Sequence, residues 1–300
     1  MRIKALITIG LLLNAGRLSA GKPDPSARFW LGGDVHLGAG GHRVLAPLSP
    51  VFENAPGFVN LEGAVRIEPN ESVGGKLFNA ESALIELSAA GIRAASIANN
   101  HALDAGADGP RLTARALSSH KIAPAGLAAG FATIILAGKR IVFTSHDLSS
   151  GVPEALRADL TKAKGAGDLL VATFHLSGPP SYLPSPELKK AVEIALLAGA
   201  RVIAAHGSHR LGPVERRGDA VIAWGLGNLV FACDCTRETD AMLLEIAIGP
   251  DGELDAAAIP IIAGINGKPA APDPHPGEIF DLLEAIGSPK LKREGNHGRF

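Results

Sequence analysis

Short apolar runs alternate with helix-like segments along most of the chain after residue 27. The runs 28–36 and 168–175 are rich in residues that favour buried strands, and each ends on polar side chains. Segment 81–90 has apolar residues at helical spacing, and Gly91 follows it at a position typical of a helix C-terminus. Residues 132–146 have the pattern of a hairpin. Strands that alternate with helices predict an α/β protein, and the hairpin predicts that its sheets are mixed.

The composition changes after residue 264, where proline and glycine become frequent. A short amphipathic helix, 278–286, and a charged tail follow this connector. We therefore predict one domain over residues 25–264. The C-terminal extension, 265–300, is expected to pack on the outside of that domain or to fray.

The N-terminal segment, 1–24, has the pattern of an export signal. Arg2 and Lys4 precede an apolar run, 5–13, that is too short to cross a bilayer comfortably but fits a secretory signal peptide. Leu18 stands where a cleavage site requires a small residue, so an uncleaved N-terminal anchor stays open as the alternative. We therefore predict an exported protein that is periplasmic or associated with the cell envelope.

Composition and charge exclude one class of partner. Of the 300 residues, 46% are hydrophobic, which is enough to bury a large core. The formal net charge is −1, from 29 basic and 30 acidic residues, so no overall field attracts the chain to a phosphate backbone. Only 4% of residues are aromatic, which leaves few side chains for stacking on bases. We therefore expect no nucleic-acid partner.

The two cysteines, Cys233 and Cys235, are separated by a single residue. A bridge between residues this close closes a very small ring, so free thiols and a disulfide are left as equal alternatives. The sequence has no second cysteine pair to complete a structural zinc site. We expect no essential role for the pair.

Polar side chains with metal-binding chemistry collect at one predicted edge of the fold. Each follows an apolar run on its carboxyl side, where open α/β sheets form their crevices. Oxygen and imidazole donors without thiolates suit Zn, Mn or Fe, and a bridging carboxylate holds two cations about 3.5–4 Å apart. The candidates are Asp34, His36, Glu62, Asn100, His101, His175, His206 and His209. We therefore predict a site for two divalent metal ions, with one histidine free to move a proton.

The order of these motifs resembles a known family. GDVHLG, NLEG, NNHALDAG, AHGSHRLGPVE and WGLGNLVF follow one another as in the poly-gamma-glutamate capsule biosynthesis protein CapA family, a branch of the calcineurin-like metallophosphatase superfamily. The resemblance covers about residues 28–264, and NNHALD and GLGNLVF are its most specific motifs. It implies a four-layered α/β/β/α sandwich of the metallophosphatase type, with two mixed sheets and the metal centre at the strand ends.

The resemblance also implies a role for each candidate. Asp34 matches the bridging aspartate of the first motif, and Glu62 stands where phosphatases usually have an aspartate that bridges the metals. Asn100 matches an amide ligand, and His101 matches the histidine that contacts substrate or protonates the leaving group. The other implied metal ligands are His36, His175, His206 and His209.

Two neighbours of these residues complete the predicted catalytic group with His101. Arg210 follows His209 and is placed to bind an anionic phosphate or carboxylate group through its planar fork, and the alternative is a surface arginine. Asp104 either orients His101 or caps the next helix. These alternatives are weighted equally.

The chain departs from the family pattern at three motifs, and in one of them Ala105 stands where a tyrosine is common. Gly207 and Ser208 set the last two histidines further apart than in the superfamily, and Pro179 and Pro180 replace polar residues of the fourth motif. The remaining donors predict one tightly held metal and one weakly held metal, which favours a slower or differently selective enzyme.

Three functions are compatible with these features. The first is a metal-dependent hydrolase of ester (phosphoester) or amide bonds, linked to capsule or cell-envelope poly-gamma-glutamate biosynthesis, whose substrate is an anionic polymer or a phosphorylated small molecule. The second is a non-catalytic, polymer-binding component of a polyglutamate synthesis or export assembly, anchored near a membrane synthase. The third, a nucleotide phosphodiesterase, lacks a recognisable set of base-binding aromatic residues. We favour the first.

Overall fold

The computed structural model describes residues 27–40, 43–67, 74–179, 181–289 and 291–300. The predicted signal peptide or anchor, 1–24, lies outside the described residues. Within the described ranges, no helix combines the length and the apolar composition that a membrane crossing requires.

The described residues form 19 strands and six α-helices. The strands are β1 (Arg28–His36), β2 (Gly57–Leu61), β3 (Ala64–Arg66), β4 (Phe78–Ala80), β5 (Ile92–Ser96), β6 (Ala123–Ala125), β7 (Ala132–Leu136), β8 (Lys139–Asp147), β9 (Leu169–His175), β10 (Val202–His206), β11 (Val214–Arg217), β12 (Ala220–Ala223), β13 (Asn228–Phe231), β14 (Asp240–Ile248), β15 (Leu254–Ile262), β16 (Gly264–Ile265), β17 (Ala271–Pro272), β18 (Lys292–Glu294) and β19 (His297–Arg299). The helices are α1 (Ser49–Phe52), α2 (Leu84–Ala89), α3 (Gly109–Ser119), α4 (Leu156–Gly165), α5 (Pro186–Leu197) and α6 (Pro276–Ala285). A 3-10 turn, Glu81–Ala83, leads into α2, and the two together occupy the helix predicted over 81–90.

Two sheets carry most of the fold. The larger, of 11 strands, has the order β18-β19-β15-β14-β1-β2-β5-β6, with β13, β16 and β17 attached beside it. The smaller, of six strands, has the order β11-β12-β10-β9-β8-β7. The central strands β1, β2 and β5 are parallel, as are β8, β9 and β10. Strand β14 is antiparallel to β1, and β7 to β8, so both sheets are mixed, as the hairpin pattern predicted.

Three buried apolar clusters show how the sheets and helices stack. One lies between the two sheets, where the rings of Phe58 and Phe143 stack with centroids 4.8 Å apart. A second packs Leu87 of α2 against the outer face of the larger sheet. A third packs Leu160 of α4 and Val192 of α5 against the outer face of the smaller sheet. This order of helix, sheet, sheet and helix confirms the predicted four-layered α/β/β/α sandwich.

Each central strand divides its side chains between two of these clusters. In β1, Leu31 lies in the cluster between the two sheets, and Trp30 lies in the cluster between the larger sheet and α2. In β9, Val171 and Ala172 likewise lie in opposite clusters. A strand that is buried on both faces has no polar face, and this is why these strands appear as continuous apolar runs.

The C-terminal residues correct one prediction. Helix α6 lies where a helix was expected, but the extension is not peripheral. Phe280 and Leu283 are buried in the cluster between the sheets, and β19 pairs with β15 at one end of the larger sheet. All three residues of β18 are exposed. The charged residues near the C-terminus suggested a tail that frays. Instead, the few apolar side chains of the extension complete the core.

Candidate metal centre

The predicted metal ligands come from the carboxyl ends of strands in both sheets. In the larger sheet, Asp34 of β1 lies beside Asn60 of β2, and Glu62 follows that strand. In the smaller sheet, His206 of β10 lies directly beside His175 of β9. Because the two sheets pack face to face, these strand ends meet at one edge of the sandwich.

Asp34 is the centre of this cluster, and its side chain is 1% exposed. Asn60 Nδ2 donates a hydrogen bond to Oδ1 at 2.9 Å, and the backbone N–H of Gly207 donates to Oδ2 at 3.0 Å. Nδ1 of His206 and Nδ1 of His209 each lie 3.4 Å from the carboxylate. Burial raises the pKa of Asp34, but the close imidazoles of His206, His209 and His175 bring it well below its usual value. The carboxylate is therefore ionised at neutral pH.

Glu62 is the second buried carboxylate of the cluster. Its Oε1 lies 3.9 Å from Nε2 of His175 and 3.8 Å from Nε2 of His209. Burial, and then the charge of Asp34, raise the pKa of Glu62 well above its usual value. A cation held between the two carboxylates would reverse both effects, since it favours the ionised form.

Several buried polar atoms at this edge lack a hydrogen-bond partner among the described residues. They are Oε2 of Glu62, Nδ1 of His36, and both ring nitrogens of His175 and His206. Buried polar atoms are normally paired, and an unpaired cluster is typical of a site for an ion or another ligand. Asp34, Glu62 and His209 also offer ligand atoms that all lie within 4.8 Å of one another. Carboxylate oxygens and imidazole nitrogens in this arrangement fit a divalent ion such as Zn, Mn or Fe.

The end of β10 and the loop that follows it bring His206 and His209 to Asp34, despite the wider spacing of the two histidines. Gly207 and His209 have left-handed backbone conformations, with φ of 90° and 55°. Glycine adopts this conformation at no steric cost, and histidine is among the side chains that adopt it more often than most. Nδ1–H of His209 donates to Oδ1 of Asn228 at 2.8 Å, which leaves Nε2 as the nitrogen available to a metal.

His36 is a buried, neutral imidazole. Its Nε2–H donates to the carbonyl oxygen of Phe78 at 3.0 Å, so Nδ1 keeps a free lone pair. Burial lowers the pKa of His36 to about 4; the hydrogen bond to the Phe78 carbonyl offsets part of this effect, and the nearby His101 lowers the pKa slightly further. An unprotonated ring with a free nitrogen is the form that the predicted ligand role requires.

His101 and Asp104 form a pair beside the two carboxylates. Nδ1 of His101 lies 2.8 Å from Oδ2 of Asp104, and the same oxygen accepts the backbone N–H of Leu77 at 2.6 Å. Helix α3 begins at Gly109, so Asp104 does not cap it. Of the two alternatives for Asp104, the structure therefore favours the orientation of His101.

The two asparagines of the NNHALD motif occupy different environments. Asn99 is buried, and its Nδ2 donates to Oδ1 of Asn60 at 3.2 Å and to the carbonyl oxygen of Leu61 at 2.9 Å. Asn100 is exposed, and none of the side-chain hydrogen bonds among the described residues involves it. The assignment of Asn100 as a metal ligand stays a prediction, whereas Asn99 links the His101 loop to β2.

Arg210 is not a free cation. Its guanidinium donates to Oε1 of Glu238 at 2.6 Å and to the hydroxyl of Tyr182 at 2.8 Å, and it lies over the Tyr182 ring at 5.0 Å. An anionic substrate group would have to compete with Glu238 for it. Sequence reasoning could not foresee this pairing, because Glu238 lies 28 residues away along the chain.

A cleft of about 390 Å³ opens onto the centre. Its wall includes Glu62, His101 and His209, together with Cys233 and Cys235. These cysteines form a disulfide, which resolves the two alternatives left by the sequence. The cleft therefore gives a ligand access to Glu62, His101 and His209 from one side.

Sequence reasoning assigned no site role to the asparagines that support Asp34 and His209. Asn60 and Asn228 are fully buried at the ends of β2 and β13. Asparagine is depleted in strands, so an asparagine within an apolar run is a signal that could have identified both.

Glu62→Gln is expected to stabilise the metal-free protein at neutral and alkaline pH. The pKa of Glu62 is raised in the folded chain above its ordinary value of 4.5. The contribution of Glu62 to the free energy of unfolding is therefore complete below pH 4.5, and it is lost as the pH rises through the pKa of the folded state. The gain in free energy of unfolding should grow as the pH rises above 4.5, measured by urea unfolding with a chelator present. Glu53→Gln, at an exposed position, is the control, and a gain for Glu62→Gln that does not change with pH would contradict the assignment.

The two mixed sheets form a fold that is shared with two solved structures. A hypothetical protein from Thermus thermophilus has a TM-score of 0.54 at 14% identity, over 78% of this chain and 99% of that one. A protein provisionally described as a 5'-nucleotidase from Staphylococcus aureus, in complex with alpha-ketoglutarate, has a TM-score of 0.51 at 11% identity, over 86% of this chain and 58% of that one. At these identities the similarity concerns the fold alone.

The chain belongs to the family described as Bacterial capsule synthesis protein PGA_cap, which matches residues 28–233. The capsule biosynthesis protein CapA of Bacillus anthracis is 25% identical over 197 residues, 57% of this chain and 48% of that protein. The PGA biosynthesis protein CapA of Bacillus subtilis (strain 168) is 29% identical over 100 residues, 33% of this chain and 26% of that protein. The family resemblance is thus confirmed, and the chain spans about half the length of these relatives or less.

Proposed function

We propose that the protein is a divalent-metal-dependent hydrolase of phosphoesters that acts in the biosynthesis of capsule or cell-envelope poly-gamma-glutamate. The observation that carries this proposal is the convergence of two buried carboxylates with unpaired imidazole nitrogens at one edge of the sandwich, where Glu62 and His209 also line a cleft. The fold supports the reaction class, and the family supports the link to the capsule.

Two divalent ions, of Mn, Zn or Fe, are proposed for the centre. The proposed ligands are Asp34, His36, Glu62, His175, His206 and His209, with Asn100 as the predicted amide ligand. Ions at this position would act as Lewis acids toward a phosphoryl oxygen and would lower the pKa of an attacking water. The carboxylates would determine where the cations lie, since they are the only buried acidic pair among the described ligands.

His101 is proposed to move the proton of the leaving group. Asp104 holds Nδ1–H of His101, so Nε2 is the ring nitrogen available to the cleft. The carboxylate also stabilises the ring when it carries a second proton, and in that form Nε2–H is a donor to a departing oxygen. Asp104 thus sets the orientation of the ring.

The substrate is proposed to be an anionic polymer or a phosphorylated small molecule, met by an exported protein at the cell envelope. A second candidate function is a non-catalytic component that binds polymer within a synthase complex, which the family would also support. In either function an anionic ligand would have to compete with Glu238 for Arg210. A folded chain that binds metal and polyglutamate but cleaves no phosphoester would support this second candidate.

His101→Ala is expected to lower kcat for a generic aryl phosphoester by about 10²- to 10⁴-fold, because it removes the proposed acid. Metal affinity should stay within about twofold, since His101 is a proton donor in this proposal and not a ligand. The assay uses added Mn or Zn, with calorimetric titration of the same ions. His275→Ala, an exposed histidine outside the cleft, is the matched control. Equal kcat for the variant and the unmodified protein would remove His101 from the reaction.

A further inference from the structure

Asp147, the last residue of β8, lies beside the metal centre although no motif in the sequence marks it. Strand β8 pairs with β9 in parallel, and the register places Asp147 next to His175. The backbone N–H of Leu148 donates to the carbonyl oxygen of His175 at 2.8 Å, so the turn after β8 is held to the end of β9. Oδ1 of Asp147 lies 3.8 Å from Nδ1 of His175.

The His175 ring is confined on its other sides. Its side chain is 1% exposed, and neither ring nitrogen has a hydrogen-bond partner among the described residues. A Cβ at position 207 would lie only 2.8 Å from Cε1 and from Nε2, so the ring packs directly on Gly207. With Nε2 at 3.9 Å from Glu62, Nδ1 has Asp147 as its nearest carboxylate.

Asp147 is itself held in place. Its Oδ1 accepts the backbone N–H of Ser149 at 3.0 Å and the Ser149 hydroxyl at 2.6 Å. The side chain keeps 24% of its surface exposed and lines a cavity of about 330 Å³ that His146 and Asp159 also line. A partly solvated carboxylate stays ionised at lower cost than a fully buried one, so Asp147 can serve as a fixed acceptor.

We propose that Asp147 is a positioning residue of the metal centre, the carboxylate that accepts Nδ1–H of His175 and thereby presents its Nε2 lone pair to a divalent ion. Histidine ligands commonly donate their second ring N–H to a carboxylate, which determines the tautomer and strengthens the ligand. A small rotation of either side chain shortens the separation to a hydrogen bond, as is common when a ligand-free site becomes occupied. The role rests on the proposed metal centre but not on the reaction performed there.

Asp147→Ala is expected to weaken the binding of Mn or Zn to the full chain by about 10- to 100-fold, measured by calorimetric titration. Asp147→Asn keeps the shape and one acceptor oxygen, so it is expected to recover part of the affinity and to fold even where the alanine variant does not. Asp159→Ala is the matched control, because it removes a carboxylate that lines the same cavity. That carboxylate interacts electrostatically with His146. Its metal affinity is expected to equal that of the unmodified protein.

A second readout separates positioning from general damage. In metal-free protein with isotope-labelled histidine, long-range proton–nitrogen correlation spectra are expected to place the His175 proton on Nδ1. Asp147→Ala is expected to move it partly to Nε2, with the His175 signals assigned from a His175→Gln variant. Unchanged affinity with an unchanged His175 tautomer would overturn the proposal, as would an equal loss of affinity in Asp159→Ala.

Two further outcomes distinguish this role from the proposed function. A chain that binds neither ion would overturn the metal centre and the role of Asp147 with it. A chain that binds metal, loses affinity on Asp147→Ala and cleaves no phosphoester would contradict only the proposed reaction.

Discussion

Asp34→Asn is expected to weaken Mn or Zn binding by more than about 100-fold and to remove phosphoester hydrolysis. Loss of a residue that merely supports a ligand costs about 10- to 100-fold in affinity, so loss of the central ligand should cost more. The amide keeps the size of the side chain, and its single oxygen can still accept from Asn60 or from Gly207, so the fold should persist at the cost of one hydrogen bond. What disappears is the negative charge that both His206 and His209 face.

Thermal unfolding with and without metal gives the clearest measurement for Asp34→Asn. An ion at 100 times its Kd stabilises the native state by about 2.7 kcal/mol, and the variant should lose this stabilisation. Asp219→Asn, whose carboxylate is exposed and paired with Arg201, should keep it. An Asp34→Asn protein that metal still stabilises would show that Asp34 does not hold the ion.

Gly207→Ala is expected to destabilise the protein and to weaken metal binding together. The residue has φ of 90°, and its Cβ would lie 2.8 Å from the carbonyl oxygen of Leu176 and 2.8 Å from Nε2 of His175. A left-handed backbone costs an alanine about 1–2 kcal/mol, and overpacking adds about 1–3 kcal/mol. The total loss in free energy of unfolding should therefore be about 3 kcal/mol, and the displaced ring should bind metal less tightly.

Gly218→Ala is the matched control for this substitution. Gly218 also has a left-handed backbone, with φ of 63°, but nothing lies within 4 Å of a Cβ at that position. It should cost only the backbone contribution of about 1–2 kcal/mol and leave metal affinity unchanged. Urea unfolding and calorimetric titration test both variants, and equal losses in the two would show that contact with the His175 ring has no effect.

The candidate site was predictable to the extent that each residue follows a strand. Asp34, Glu62, His175 and His206 were identified because parallel strands end at a common edge, and a polar residue after an apolar run therefore has a predictable position. Asp147 also ends a strand, yet a single carboxylate there has many ordinary explanations. Its proximity to His175 depends on the register between β8 and β9, which local sequence does not encode.

The fate of Arg210 depended on a contact that no local pattern describes. Its neighbours in sequence are metal-ligand candidates, which suggested an anion site. The folded chain instead places Glu238 and Tyr182 against its guanidinium. An arginine side chain reaches several residues in many directions, so only the packed loops determine which acceptor it meets.

The amino-acid sequence by itself determined the α/β class, the strand ends that carry metal-binding side chains, and the family. These features follow from local periodicity and from short motifs, which need no knowledge of distant contacts. Only the tertiary structure decided that the C-terminal residues complete the core, and that Asn60 and Asn228 hydrogen-bond to residues of the metal centre. It also decided that Asp147 lies beside Nδ1 of His175. The physical reason is that burial, register and hydrogen-bond pairing are properties of two surfaces in contact, and a linear pattern specifies only one of them at a time.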